Sequence, residues 1–555
     1  MSVIATVAQR PVEALKPDPD WWRGAVIYQI YPRSFQDSNG DGIGDLAGIR
    51  QRLPYVAHLG ADAIWISPFF TSPMKDFGYD ISDYRGVDPM FGSLEDFRAL
   101  VADAHALGLK IMIDLVMSHT SDQHPWFAES RTNRENNKSD WYVWADAKPD
   151  GSPPNNWLSI FGGSAWEWDT NRRQYYLHNF LASQPDLNFH NREVQDALLD
   201  MVRFWLELGV DGFRLDTVNF YFHAQSLANN PPLAPEARNS SIAPEVNPYN
   251  HQDHLFDKSQ PDNIGFLNRF RALLDEFPAA AALGEIGDAQ RGLQLLAEYT
   301  AGDDRMHMCY SFDFLSAETI TPESVRDVVN AFEEAAPDGW SCWAFSNHDV
   351  IRHASRWGAF EREPDRYLRL VAALLFSLRG SVCIYQGEEL GLPEADIGFD
   401  DLQDPYGIRF WPEFKGRDGC RTPMVWSSNL PNGGFTSGKP WLPVPDIHRA
   451  MAVDMQQGRE GSVYEFYKAF LAFRASHRIF AKGGLRFVDA PGEVIAFARE
   501  DGGERILCAY NLGHEPVEFA PGFVVRRMED APLGGISENG VIKLAPLEGF
   551  IGRME

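Results

Sequence analysis

One pattern of apolar and polar positions recurs along the chain: an amphipathic helix, a glycine and then a short apolar run. The glycines and the runs that follow them occupy 60–66, 108–116 and 209–215. Glycine suits the left-handed residue that ends a helix. Apolar runs of this length are typical of strands buried in a parallel sheet. The repeated unit therefore predicts alternating strands and helices around a parallel sheet.

Five more short apolar segments fit this arrangement, at 26–31, 279–283, 309–312, 342–345 and 380–385, and an amphipathic helix follows at 463–477. Together they predict a (β/α)8 TIM barrel of the α/β class. Alternating segments after the last helix predict an antiparallel β-sandwich.

Breaks in this periodicity predict the domain boundaries. The barrel occupies 1–118, after a frayed leader at 1–20, and 191–480. The Trp-, Asn- and Pro-rich stretch 119–190 is too long for a plain loop and is expected to be a domain inserted after the third strand. A subdomain is expected at about 396–441, and the C-terminal β domain at 481–555.

A cation and a carboxylate lie at the end of the run 209–215. Arg214 and Asp216 are two residues apart, so both side chains point to the same side of a strand. Catalytic groups of such barrels lie where the strands end, which makes Asp216 a candidate catalytic residue. The alternative is a structural Asp216 that caps the next helix.

Other predicted strand ends also carry candidate groups. Glu285 and Asp349 follow the fifth and seventh strands, and His119 follows the third, where it is either a structural or a functional histidine. Paired carboxylates are what cleavage of a glycosidic bond needs, although they could equally bind a catalytic metal. We expect Arg214 to lower the pKa of Asp216, and the apolar neighbours of Glu285 to raise the pKa of that residue.

The segment 37–45 predicts a structural cation site. Its oxygen-bearing side chains alternate with glycines, as in loops that wrap Ca²⁺ or Mg²⁺. Gly48 stands where an EF-hand needs a glutamate, so the loop is not an EF-hand. The expected ligands are Asp37, Asn39, Asp41 and Asp45 with the carbonyl oxygen of Ile43. The alternative is a polar turn without a metal.

The net charge is −28 over 555 residues, which makes nucleic acid and anionic membranes poor partners. No apolar stretch is long enough to cross a membrane, and residues 1–20 lack the features of a secretory signal. The cysteines are scattered, without metal-binding spacing, at Cys309, Cys342, Cys383, Cys420 and Cys508. We expect a cytoplasmic monomer or dimer with reduced thiols and no organic cofactor.

Five segments resemble the signature regions of the α-amylase superfamily, glycoside hydrolase family 13. They are 114–119, 212–216, 284–285, 345–349 and 184–188, and the last is similar to the oligo-1,6-glucosidase and α-glucosidase subgroup. Ser118 replaces the asparagine common in the first region, as it does in some relatives.

The resemblance implies a role for each candidate residue. Asp216 would be the nucleophile, Glu285 the acid/base and Asp349 the residue that stabilises the transition state. A pocket for one terminal glucose would be lined by Tyr79, His119, Arg214 and His348. Independently of the resemblance, the inserted stretch carries aromatic rings that either contact sugar faces or form local core, namely Phe161, Trp166, Trp168 and Phe180. Asp76 would pair with Arg417, or alternatively Arg421, to bind the terminal 4-hydroxyl and close the pocket.

This resemblance predicts a retaining, exo-acting α-glucosidase whose substrate is a small oligosaccharide or other α-glucoside. Thr217 directly follows Asp216, where relatives that cleave α-1,6 bonds usually carry valine, so α-1,4 preference is expected. Some glucosyl transfer is also expected, because the hydroxyl of another sugar or an alcohol can replace water in the second step of the family's reaction. Open alternatives are an α-1,6-glucosidase, a sucrose hydrolase, a trehalose synthase and a non-catalytic relative. A retaining mechanism requires the Asp216 and Glu285 carboxyls to be roughly 5–5.5 Å apart.

Overall fold

The computed structural model describes residues 18–555, so most of the predicted leader 1–20 lies outside the described part. A parallel eight-stranded sheet forms the centre. Its strands, labelled β1 to β8 in chain order, are Val26–Ile30, Ala63–Ile66, Lys110–Leu115, Gly212–Leu215, Ala281–Ile286, Met308–Ser311, Cys342–Ala344 and Ser381–Tyr385.

The strands are ordered β6-β5-β4-β3-β2-β1-β8-β7. A parallel bridge between Cys309 on β6 and Ser341, just before β7, joins the two ends of this sheet. The sheet therefore closes into the predicted barrel. Neighbouring strands follow one another in the chain except at the closure between β8 and β1, the order of a (β/α)8 fold.

Within the described residues 18–555, eight longer helices surround the barrel. Labelled α1 to α8, they are Leu46–Leu59, Leu94–Ala106, Arg192–Glu207, Asn263–Leu274, Gly292–Thr300, Pro322–Ala335, Pro364–Ser377 and Val463–Ser476. Shorter helices are Pro125–Ser130, Asp313–Ser316, His353–Arg356, Pro405–Phe410, Asp446–Ala450, Val453–Gln456 and Ile479–Lys482.

Local sequence signals set the ends of these helices. Ser93 and Asp96 form a reciprocal capping box at the start of α2. Gly108 follows α2 with a φ of 80°, and Gly209 follows α3 with a φ of 97°, values that an L side chain disfavours. The glycine signals thus stop each helix where the chain turns back into the sheet.

Three sets of antiparallel strands are added to the barrel. Between β3 and α3 lies an antiparallel sheet of Trp144–Ala145, Gln174–Leu177 and Trp166–Asp169. After β2, Phe70–Thr71 pairs with Asp83–Val87. The C-terminal region forms two antiparallel sheets, one of Gly484–Val488, Val494–Asp501, Glu504–Asn511, Glu548–Met554 and Val525–Arg527, the other of Val517–Phe519, Val541–Leu544 and Ile536–Glu538.

The expected fifth strand, 279–283, is corrected to Ala281–Ile286, so Glu285 lies within β5 rather than after it. The extension follows from pairing with β6, where Glu285 opposes Tyr310 and Ile286 opposes Ser311. A charged residue ended the apolar run in the sequence, but a partner strand continues the hydrogen-bonding ladder.

In the described part of the chain, no helix is both long and apolar enough for a bilayer. All five cysteines are free thiols and buried. An apolar cluster fills the interior of the barrel. Its strand residues include Ile27, Ala63, Trp65, Met112, Leu283, Met308 and Cys383.

Trp205 on α3 anchors the packing of that helix against the barrel. Its side chain is fully buried, and its ring centroid lies 5.7, 5.3 and 5.1 Å from those of Phe69, Phe70 and Phe97. Trp205→Ala should therefore lower the free energy of unfolding by about 3–5 kcal/mol. Urea denaturation followed by circular dichroism measures the change. Leu107→Ala, at a site that is 43 % exposed, is the control. Equal losses in both variants would contradict this account of the core.

Candidate active site

Arg214 is the centre of a buried group of carboxylates. On β4 it lies in register with Asp114 on β3 and Leu283 on β5. Its Nη1 donates to Asp114 Oδ1 at 2.9 Å and to Asp216 Oδ1 at 2.8 Å, while Nη2 lies 2.6 Å from Glu285 Oε1. The guanidinium has no exposed surface. One cation thus brings three carboxylates into a single pocket.

Glu285 is held from several directions. Besides Arg214, its Oε1 accepts a hydrogen bond from the Tyr310 hydroxyl at 2.8 Å. Its Oε2 accepts one from the backbone N–H of Thr217 at 3.1 Å. These donors hold the Glu285 carboxyl beside Thr217, the residue that follows Asp216. Because Asp216 and Glu285 contact the same guanidinium, they meet at the same site, as the resemblance implied.

Thr217 adopts an unusual backbone conformation. Its φ is 37° and its ψ is 54°, a left-handed region that is costly for a β-branched residue. The turn aims its N–H at Glu285, and its hydroxyl lies 3.3 Å from Asp216 Oδ2. The strained backbone of Thr217 therefore places its N–H and its hydroxyl against the two carboxyls.

Burial governs the protonation of this group. It raises the pKa of Asp216 to about 7 and that of Glu285 to about 7, with the Arg214 cation offsetting only part of the effect. Burial likewise raises the pKa of Asp114 to about 6. The expectation that Arg214 holds the pKa of Asp216 low is therefore corrected. One cation among several buried carboxyls favours a shared proton near neutral pH.

Asp349 has the opposite electrostatic setting. Its Oδ1 accepts from Arg421 Nη2 at 2.9 Å and from Arg417 Nη1 at 3.1 Å. Burial disfavours its charge, but contact with the His348 ring and with the Arg417 and Arg421 cations outweighs burial and holds its pKa well below the usual range. Asp349 is thus an anion at the edge of the carboxylate group.

His348 connects this anion to the centre of the site. Its ring stacks on Tyr79 with the planes 6° apart, and its Nε2 lies 2.6 Å from the Tyr79 hydroxyl. With the Gln29 amide donating to Nδ1 at 2.8 Å, Nε2 carries the proton and the Tyr79 hydroxyl donates to Asp114. Burial keeps the pKa of His348 well below its ordinary value, so the ring is neutral.

One side of the pocket is formed by a buried ion pair. Arg417 Nη2 lies 3.0 Å from Asp76 Oδ1, whereas Arg421 contacts Asp349 and the carbonyl oxygen of His348. Arg417 is therefore the arginine that pairs with Asp76. Burial raises the pKa of Asp76 to about 6 despite the two arginines.

His119 lies next to this pair. The Gln184 amide donates to Asp76 Oδ2 at 3.0 Å and lies 3.1 Å from His119 Nε2. The same ring nitrogen is 3.0 Å from the carbonyl oxygen of Tyr79. Burial lowers the pKa of His119 to about 4, so it too is neutral at pH 7.

The two predicted aromatic contacts differ in position. Phe161 is buried, and the Arg417 guanidinium lies 5.1 Å above its ring. Phe180 is only half-buried, and its ring centroid is 5.1 Å from that of His119. Phe180 is thus the more accessible of the two, and sugar contact by either ring stays a prediction.

Sequence reasoning missed several residues of the site. Tyr310 lies opposite Glu285 on β6, and strand alternation could have placed it there. Asp404 accepts from Arg417 Nη2 at 2.8 Å and helps to orient it. Asp404 had no sequence signal beyond helix capping, because its partner lies 13 residues away in an irregular segment. Asp114 begins the segment 114–119, but the sequence assigns it no role of its own.

In the predicted cation loop, the acidic side chains bind the loop itself. Asp37 Oδ1 accepts from the N–H groups of Asn39 and Gly40 at 2.9 and 2.7 Å. Asp45 caps α1 through the N–H of Gly48 and also accepts from Ser38. Within residues 18–555, no group of three or more His, Cys, Asp or Glu could hold a metal ion. The oxygen donors of the loop are of the type that Ca²⁺ prefers. Binding of a cation here stays a prediction.

Comparisons with known proteins agree with this geometry. The alpha amylase catalytic-domain model matches residues 29–483. A probable alpha-glucosidase of Rhizobium meliloti is 64 % identical over 92 % of each chain, and the oligo-1,6-glucosidase of Heyndrickxia coagulans is 37 % identical over 90 % of this chain and 93 % of its own. The crystal structure of an alpha-glucosyl transfer enzyme has a TM-score of 0.94 at 55 % identity, covering 97 % of this chain and all of its own.

The barrel and its carboxylates thus define a glycoside hydrolase. The chain belongs to the α-amylase family, glycoside hydrolase family 13, and its homologues include proteins named α-glucosidase and oligo-1,6-glucosidase. The predicted family, enzyme class and barrel fold are confirmed.

Binding of a cation to the loop 37–45 has a direct test. Ca²⁺ or Mg²⁺ should raise the unfolding temperature of the wild type but not of Asp41→Ala, because a ligand bound only by the folded state stabilises it. Differential scanning calorimetry with and without a chelator measures this, with Glu460→Ala on the exposed surface as control. No response of the wild type to either ion would identify the loop as a polar turn.

Removing the Glu285 carboxylate should change stability in a pH-dependent way. Its pKa is raised from 4.5 to about 7 on folding, so its stabilising proton is fully bound below pH 4.5 and lost as the pH rises through 7. The unfolding temperature of Glu285→Gln relative to wild type should therefore increase between pH 5 and pH 8. Differential scanning fluorimetry measures it, with Glu460→Gln as the control. A constant difference would contradict the raised pKa.

Proposed function

We propose that the protein is a retaining, exo-acting α-glucosidase that releases glucose from the non-reducing end of short α-glucosides. The contact of Asp216 and Glu285 with one buried guanidinium carries this proposal. It brings the two carboxyls together in one site, and double displacement requires a closely spaced pair that flanks the glycosidic bond.

In the proposed first step, Glu285 donates its proton to the glycosidic oxygen while Asp216 attacks C1. The bond from C1 to the leaving oxygen breaks, and a β-glucosyl ester forms on Asp216. The shared proton near neutral pH supports this step, because one carboxyl must be protonated while the other is ionised. The anionic Asp349 would accept hydrogen bonds from the sugar hydroxyls.

In the second step, Glu285 acts as base and removes a proton from water, whose oxygen attacks C1 and releases Asp216. Two inversions retain the α configuration. If the hydroxyl of a sugar or another alcohol enters instead of water, the product is a new glucoside. We therefore expect glucosyl transfer alongside hydrolysis. The relative described as an alpha-glucosyl transfer enzyme supports this expectation.

Exo action is inferred from the ion pair between Asp76 and Arg417. Both side chains are nearly buried, with 6 and 10 % of their surfaces exposed, and they stand beside His119 and Asp349. A paired carboxylate and guanidinium can bind one terminal hydroxyl from both sides and leave no path for a longer chain. An endo-acting enzyme would need an open groove here.

The preference for α-1,4 linkages rests on Thr217. Its hydroxyl is 3.3 Å from Asp216 Oδ2 and 3.4 Å from the Ser118 hydroxyl, so it lies next to the proposed nucleophile. Single side chains seldom fix specificity. Cleavage of α-1,6 bonds is the second candidate, favoured by the name of the Heyndrickxia relative.

The product profile tests linkage. Purified enzyme should release glucose fastest from maltose and more slowly from isomaltose, sucrose and trehalose, as measured by chromatography of the products. Isomaltose as the best substrate would identify an α-1,6-glucosidase, and conversion between disaccharides without glucose release would identify a synthase. No activity on any of them, or on a chromogenic α-glucoside, would favour a non-catalytic relative.

Asp216→Asn tests the nucleophile. The amide keeps the shape of the side chain but cannot form the glucosyl ester, so kcat should fall by at least about 10⁴-fold while the circular dichroism spectrum stays unchanged. Hydrolysis of 4-nitrophenyl α-glucoside measures the loss. Asp454→Asn, far from the pocket at the start of a short helix, is the matched control. Activity close to wild type in Asp216→Asn would refute the assignment.

A further inference from the structure

The pairing between β4 and β5 stops just below the two proposed catalytic carboxyls. Its last pair is Leu215 with Gly284, so Asp216 and Glu285 lie one residue beyond it. On its other edge, β5 continues to pair with β6 as far as Ile286. Backbone pairing of Glu285 is therefore missing only on the side that faces Asp216.

Asn219 occupies the place of the missing backbone pair. Its side-chain Oδ1 accepts from the N–H of Gly287 at 3.0 Å, and its Nδ2 donates to the carbonyl oxygen of Gly287 at 3.2 Å. We name these two hydrogen bonds the Asn219 bridge. The side chain is fully buried. A planar amide thereby makes both bonds that a neighbouring strand would make to one residue.

The bridge joins the two catalytic segments. Asn219 lies in the short turn that starts after Asp216 and Thr217, and Gly287 lies two residues after Glu285. A third hydrogen bond crosses between them, from the N–H of Thr217 to Glu285 Oε2. The distance between the two carboxyls therefore depends on contacts between these segments.

Close packing leaves these segments little room to separate or slide. A Cβ added to Gly284 would lie 3.1 Å from Val218 Cγ1 and 2.8 Å from Cys309 Sγ. One added to Gly287 would lie 3.3 Å from the ring of Phe220. Both glycines thus permit the close approach at which a side-chain amide reaches the opposite backbone.

We propose that Asn219 is a positioning residue that sets the separation of Asp216 and Glu285. It touches neither substrate nor reacting atoms and acts through the backbone of Gly287. A retaining reaction requires roughly 5–5.5 Å between the carboxyls, and a displacement of about 1 Å can cost about 10²-fold in rate. The inference rests on the proposed function, which assigns these two residues their roles.

Loss of the bridge should loosen Glu285 without unfolding the barrel. Strand β5 keeps its pairing with β6, and the Lys258 ammonium still donates to the carbonyl oxygen of Gly287 at 2.7 Å. The glucose contacts proposed for Asp76, Arg417 and Asp349 lie on other elements. Protonation of the leaving group should therefore suffer more than binding of the sugar.

Kinetics of Asn219→Ala on two kinds of substrate test the proposal. A disaccharide has a leaving group that must be protonated, whereas 4-nitrophenolate leaves with little help. We expect kcat/KM, which reports the first step, to fall by about 10²-fold on the disaccharide that the wild type cleaves best, and by about tenfold or less on 4-nitrophenyl α-glucoside. The second step, in which Glu285 acts as base, is the same for both substrates and does not enter kcat/KM. Equal losses of kcat/KM on both substrates would overturn the proposal.

Asn511→Ala is the matched control. Asn511 is also fully buried, and its Nδ2 donates to the carbonyl oxygens of Glu515 and Ala545 at 2.8 and 3.0 Å in the C-terminal sheets. Its replacement removes comparable hydrogen bonds in the C-terminal domain, so the ratio of kcat/KM on the two substrates should equal that of the wild type. The same shift in both variants would reduce Asn219 to a structural role.

Asn219→Asp covers the case in which the alanine variant does not fold. Aspartate keeps the shape and the acceptor for the Gly287 N–H, but when ionised it cannot donate to the Gly287 carbonyl. The same selective loss on the disaccharide is expected at pH 7, and a wild-type ratio would overturn the proposal. Failure of the proposed function gives a different result, because Asp216→Asn would then remain active. If Asp216→Asn is inactive but Asn219→Asp loses activity equally on both substrates, only the positioning role of Asn219 is refuted.

Discussion

The site depends on the buried charge of Arg214. A guanidinium without water contact is stable only when anionic partners surround it, and here Asp114, Asp216 and Glu285 do so. The same contacts leave the carboxylates in excess over this one cation, and burial raises the pKa values of all three. These three carboxyls therefore share a proton near neutral pH. One of them can donate a proton while its neighbour in the same hydrogen-bonded group is an anion.

The barrel supplies this arrangement through register. Arg214 lies opposite Asp114 on one neighbouring strand and Leu283 on the other. Moving two residues along β4 and β5 leads to Asp216 and Glu285, which therefore point into the barrel mouth on the same side as Arg214. The irregular segments then add a buried ion pair beside this group, with Asp76 contributed after β2 and Arg417 after β8. Such concentration of buried charge costs stability, which proteins accept at sites that perform chemistry.

Much of the barrel and of the candidate site could be predicted from the sequence, because the sequence patterns that indicate them are local. Glycines after helices, apolar runs and a capping box gave the alternating units and the barrel. The acidic residues at strand ends predicted where Asp216, Glu285 and Asp349 meet. The length of β5 could not be predicted in this way, since it depends on pairing with β6.

The missed features all depend on contacts between distant segments. Tyr310 and Asp404 matter only through Glu285 and Arg417, which periodicity cannot connect to them. The expected low pKa of Asp216 was wrong because burial of the carboxyl raises its pKa by more than the neighbouring Arg214 lowers it. Adjacent charges are visible in a sequence, whereas loss of solvent is a property of the folded molecule.

Covalent trapping tests the central claim most directly. A fluorinated glucosyl fluoride, whose glucosyl ester hydrolyses slowly, should inactivate the enzyme and leave one glucosyl label, located by mass spectrometry of peptides. The account predicts the label on Asp216, with Glu285 and Asp349 unlabelled. A label on another carboxylate, or hydrolysis with no covalent species and with inversion of configuration, would contradict it.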